Sequence, residues 1–182
     1  MKDMDMNIME EQNKTKFKFI KYIKYNYIIY YMICEEHNIN QNIFNIENWP
    51  KVVIMITNIN SIPYITTEWL KLYEYNTPFT FIFDLTNMKT KMKDIKHALV
   101  LAAFIKKIRK FRKVDEKYNL LQQSIIITKK GMGKIFIEAV FNLTKPLSTT
   151  YIVDSIEMSD EIYNKILNNE KFDYKNVKKI VS

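Results

Sequence analysis

The chain's only two glycines fall in TKKGMGK, residues 128–134, together with Lys129, Lys130 and Lys134. Backbone N–H groups at the start of a helix, backed by lysines, are the chemistry that holds a phosphate. The spacing departs from both nucleotide-binding templates. A Walker loop needs glycine where Thr128 stands and a hydroxyl where Ile135 stands; the dinucleotide fingerprint needs glycine where Phe136 stands, although Asp154 does fall at the end of the next apolar run. A strand-to-helix turn that needs relaxed backbone angles is the reading the residues favour.

A second stretch, FIKKIRKFRK (residues 104–113), holds both arginines of the chain, Arg109 and Arg112. Helical spacing turns Leu101, Phe104, Ile105 and Ile108 inward and puts Lys106, Arg109, Lys110 and Lys113 on one outward face. Such a face suits an acidic protein, a phosphoinositide or a nucleic acid, and it equally suits a solvated helix end whose cations complement the dipole.

Catalytic chemistry has little support. His37 and His97 have no cysteine, carboxylate pair or second histidine at ligand spacing, so no metal and no cofactor is implied. Cys34 lacks an activating base, and no serine stands in a nucleophile elbow. Asp84, at the carboxyl end of an apolar run, occupies the place where α/β folds gather ligands and is the candidate for a polar site; capping the following loop is its competing role.

The elements that would position these residues follow from the pattern of apolar runs. A chain of 182 residues, 47% apolar and 14% aromatic, is one domain with a proper core. Residues 1–16 read as a tail, 17–170 as the domain and 171–182 as a C-terminal extension. Phe17 to Cys34 suits an antiparallel strand or hairpin, in which the lysines of KFKFIKYIKY would protect an edge; residues 37–48 read as a connection. KVVIMIT (51–57), FTFIFDLT (79–86), SIIIT (124–128) and TTYIVD (149–154) have strand length. Between them lie helical patterns with Ile65, Trp69, Leu72 and Tyr73 inward after Pro63, a long helix from 92 to 112, and Phe136, Ala139, Val140 and Leu143 inward until Pro146. A last helix is expected with Ser159 as N-cap and Ile162, Tyr163, Ile166 and Leu167 inward. The alternation predicts an α/β sandwich: a mixed, mostly parallel sheet with an N-terminal antiparallel strand or hairpin and four helices.

The formal charge of +8 points toward an anionic partner, but the excess of Ile, Asn, Lys and Tyr is the usage expected of an A- and T-rich gene, which discounts the lysines. A single cysteine fits a reducing compartment, and no apolar run reaches the roughly 20 residues of a membrane span, so a cytoplasmic protein, in a host cell or a virion, is expected.

FTFIFDLTNM, a helix ending in FIKKIRK, then LLQQSIIIT and IFIEAVFNLTKPLSTTYIVDS resemble the STAS and CRAL-TRIO-like superfamily, which includes the bacterial anti-sigma-factor antagonists. The likeness covers roughly residues 51–167 and is closest to small STAS-like proteins of large DNA viruses. It implies a mixed sheet with helices, used either as a protein-interaction switch or as a lipid pocket. In the antagonist branch a phosphorylatable serine lies in Asp-Ser-Ser-Gly or Asp-Ser-Thr-Gly after the strand matching FDLTNM. Here that stretch reads KTKMKDIKHA, without serine or glycine, and Thr90 is the nearby hydroxyl left as a regulatory candidate. The expectation is a non-enzymatic module that binds an unidentified protein, with a homodimer left open. A CRAL-TRIO-like lipid-binding protein is the alternative, and nucleotide or nucleic-acid binding through the basic loop and helix end comes third.

Overall fold

A computed structural model describes residues 43–89, 91, 96–129, 131–172 and 177–182. The expected hairpin within residues 17–34, Cys34, His37, Thr90 and Lys130 lie outside the described residues. The remainder is α/β: a six-stranded mixed sheet with four helices of 11 to 15 residues. In chain order these are β1 (Phe44–Asn45), β2 (Lys51–Met55), α1 (Ile62–Leu72), β3 (Phe79–Asp84), α2 (His97–Phe111), β4 (Leu121–Ile127), α3 (Met132–Leu143), β5 (Thr149–Val153), α4 (Ile156–Leu167) and β6 (Lys178–Ile180).

The strands lie in sequence order, with β2 to β5 parallel and β1 and β6 antiparallel at the two edges. Each crossover moves one strand over in the same direction, so α1, α2 and α3 share a face. The register divides the side chains accordingly. Val52 and Ile54 of β2 stand opposite Phe81 and Phe83 of β3, and Phe83 stands opposite Ile126 of β4, all beneath α1 to α3. Ile82, Ile125, Ile127, Tyr151 and Val153 point the other way and pack against Ile162 and Tyr163 of α4. FTFIFD is therefore covered on both faces, which is why it reads as a nearly continuous apolar run.

Trp69 organises the three-helix side. Its ring lies 4.5 Å from that of Phe81, 5.9 Å from Phe83 and 5.3 Å from Phe104, so α1, β3 and α2 meet at one side chain. Its Nε1 donates to the Tyr73 hydroxyl at 3.2 Å. Burial pushes the Tyr73 phenol above its ordinary 10.0, with hydrogen bonds from Trp69 and Arg112 pulling partly the other way. A phenol whose folded value is raised contributes stability that is complete below the unfolded value and is lost as pH rises through the folded one. Unfolding free energy should thus fall above about pH 10, and Tyr73→Phe should flatten that fall while Tyr118 and Tyr163, raised by burial as well, keep part of it. Denaturant titrations at stepped alkaline pH give the two slopes; equal slopes would remove Tyr73 from the account.

Some boundaries differ from expectation, each for a local reason. Within residues 37–48, expected as a connection, Phe44–Asn45 forms a short strand antiparallel to β2, where Phe44 stands edge-on to Tyr64 of α1 at 6.3 Å. The cap of α4 is Ser155, not Ser159: Ser155 Oγ accepts from Met158 N at 3.2 Å, the helix starts one turn earlier, and Ser159 is fully buried within it. Leu167 is exposed at the end of that helix. In α3 the buried arc is Gly133, Phe136, Ile137 and Val140, which leaves Leu143, its last residue, at the margin. Residues 178–180, placed in an extension by the sequence, form β6 and complete the sheet. Two lysines in so short an edge strand discourage further pairing.

Candidate functional site

The carboxyl ends of the parallel strands carry the first set of candidates. Asp84 Oδ1 accepts from Thr86 N at 2.9 Å and from Thr86 Oγ1 at 2.6 Å, an Asx turn that closes the loop after β3. The glycines of TKKGMGK each meet a backbone need. Gly131 has φ 139° and ψ −158°, a region essentially confined to glycine, at the N-cap of α3. Gly133 lies where a Cβ would meet Leu85 O at 2.9 Å, Leu85 Cβ at 3.0 Å and Thr128 Oγ1 at 3.0 Å. The first turn of α3 thus rests directly on the end of β3. Lys129 and Lys134 are exposed, and Lys134 Nζ lies 4.0 Å from Glu138 Oε1.

Gly133→Ala should cost about 2 kcal/mol, since two of the three close atoms belong to the Leu85 main chain and Cβ and cannot swing aside. Urea unfolding would check it, and a loss below about 0.5 kcal/mol would mean α3 lifts off without penalty.

The basic helix end divides into two groups. Arg109 donates to Thr144 Oγ1 at 3.0 Å, to Pro146 O at 3.1 Å and to Lys145 O, all in the loop between α3 and β5. Arg112 donates through Nε to Tyr118 O at 2.8 Å and through its other nitrogens to Leu121 O at 3.3 Å and to Leu147 O. Arg109 therefore ties α2 to the approach to β5, and Arg112 ties its end to the starts of both β4 and β5. Desolvation lowers the Arg112 guanidinium from its ordinary value, and the Tyr73 hydroxyl offsets part of this. Lys106 and Lys110 remain exposed, as their helical positions require; Lys113, expected on the same helical face, is exposed in the turn beyond the helix end at Phe111.

The residues not singled out from the sequence lie on the same helix. Leu99 is 58% exposed and Val100 42%, with Ala103 exposed beside them. Leu99, Ala103, Lys106 and Lys110 follow at steps of four, three and four residues, one stripe along the outside of α2. Packed against α2, α3 adds Ile135 at 41% and Leu143 at 39% exposure. The signal is present in HALVLAAFI, where apolar residues outnumber the positions an inward arc can take. From Lys96 to Val114 no residue is acidic, so the whole helix presents only positive charge.

The space between the sheet and α1 to α3 is a partly open apolar cavity of about 40 Å³, lined among others by Trp69, Phe83, Leu101, Ile105 and Ile137. Ser124, which also borders it, pairs Oγ to Oγ with Ser148 at 3.1 Å. A benzene-sized guest takes about 150 Å³, so this space is smaller than any acyl chain needs. Among the described residues no three His, Cys, Asp or Glu side chains gather as a metal site would require, and no helix is long and apolar enough to cross a membrane.

Comparison of the chain with protein-family models, with curated proteins and with solved structures found no match.

Proposed function

We propose that the chain is a non-enzymatic, STAS-like protein-interaction domain acting inside the cell. The observation that carries this reading is where apolar surface is left over. The space beneath the helices is about 40 Å³, whereas Leu99 and Val100 stand more than two-fifths exposed on the outside of α2. Apolar side chains held in water at helical spacing are what a docking partner covers. The resemblance of FTFIFDLTNM and the strings after it to the STAS group supports the same reading, as does a mixed sheet with helices, the architecture that resemblance implies. The engagement of both arginines within the fold counts against nucleic-acid recognition, which draws on arginine for planar contacts.

Native mass spectrometry of the chain purified without detergent tests the proposal. The expected spectrum shows the bare chain, or the chain with a protein bound in fixed ratio. A discrete lipid-sized excess that disappears on denaturation would overturn the reading in favour of a carrier whose helices open around its ligand.

A further inference from the structure

We infer that the outer face of α2, with the adjoining side of α3, seats an acidic amphipathic helix of a partner protein. This rests on the docking reading above and names the partner's chemistry. The face is ordered along its length. Leu99, Val100 and Ala103 make its first half apolar and Lys106 and Lys110 make the second half positive, with Lys113 exposed just beyond the helix end; the neighbouring α3 exposes Ile135. Leu99 to Lys110 spans about 16 Å of helix, the length of three turns in a partner lying alongside. A helix with apolar residues at three- and four-residue spacing and carboxylates toward one end would match both halves at once.

Charge complementarity sets the sign. Lys96 to Val114 includes no aspartate or glutamate, and Arg109 and Arg112 are held by backbone carbonyls, so the outward positive charge belongs to the lysines. Lysine acts as a hydrated point charge and suits scattered carboxylates better than the two-pronged geometry of phosphate recognition. An anionic membrane would also meet lysines and apolar side chains, but membrane-surface helices place aromatic residues at the boundary, and the exposed large apolar side chains of α2 and α3 are Leu99, Val100, Ile135 and Leu143.

The test is a titration of the full, isotope-labelled chain, followed by backbone amide resonances, with a synthetic helical peptide of about 18 residues, or five turns. The peptide carries leucines at three- and four-residue spacing and glutamates elsewhere; a second peptide replaces every glutamate with glutamine. The expected result is a shift of Leu99, Val100, Ala103, Lys106, Lys110 and Ile135 with the acidic peptide, at least about tenfold weaker with the glutamine peptide and weakening with added salt. Lys106→Glu combined with Lys110→Glu should reduce binding by a similar factor, and Leu99→Ser should reduce it independently; all three positions are exposed, so folding is spared. Shifts that fall elsewhere, equal binding of the two peptides, or a response only to phosphatidylserine-containing vesicles would overturn the inference. The docking reading would survive such a failure if native spectra still showed a protein bound in fixed ratio, and would fall separately with a lipid-laden chain.

Discussion

Replacing Arg112 with alanine is expected to lower the unfolding free energy by about 3–4 kcal/mol. Its guanidinium serves Tyr118 O, Leu121 O and Leu147 O, three carbonyls from the approach to β4, its first residue and the approach to β5. Each buried acceptor left without a donor costs roughly 1–3 kcal/mol, and the partial exposure of the site lets water recover some of it. Arg112→Lys should recover little, since one ammonium cannot reach three carbonyls held in different directions. Guanidinium denaturation of the three proteins reads the effect. If alanine costs less than about 1 kcal/mol, the clasp is ornamental and the strand starts are held by their own pairing.

Trp69→Ala should cost more, about 4–5 kcal/mol, at the upper end for a buried aromatic residue. The side chain is 3% exposed, touches rings on β3 and α2, and borders the 40 Å³ cavity, so its removal enlarges an existing void that cannot collapse without moving a helix. Trp69→Phe should cost much less while leaving the Tyr73 hydroxyl without the indole donor. A second readout separates a cavity from general loosening. The alanine variant should bind benzene, which the parent excludes by size, whereas a collapsed variant would not.

Much of this fold is legible in the residues because the strands are buried. FTFIFD, SIII and TTYIV are rich in β-branched and aromatic residues, which fit a pleated surface and little else, and the helices between them keep one apolar side in step with their turns. Pro63 marks the first turn of α1, because its missing N–H and fixed φ suit that turn. Elements too short to show a period escape such a reading: β1 has two residues and β6 three, and their pairing is set by the neighbouring strand instead of by their own pattern. The cap of α4 is ambiguous in sequence because Ser155 and Ser159 are one turn apart and both offer an oxygen; only the end of β5 at Val153 decides between them.

The candidate residues divide the same way. That Lys106 and Lys110 face outward follows from the sequence alone, since their spacing is fixed by the helix on which Leu101, Ile105 and Ile108 are inward, whereas Lys113 is exposed in the turn after that helix ends. The turn role of the glycines is also readable, from spacing that fails the nucleotide templates. What the tertiary structure decides is which groups are occupied by the fold. In sequence Arg109 and Arg112 are open to an anion; in the fold the loop before β5 comes within reach with carbonyls more than thirty residues distant in the chain, and the approach to β4 adds nearer ones. Leu99 and Val100 have the type of core residues, but α1 and α3 take the flanks of α2 and leave its outer side uncovered. A residue's type and local period are written in the sequence, but whether its polar or apolar surface is already matched depends on neighbours that only the folded sheet brings together.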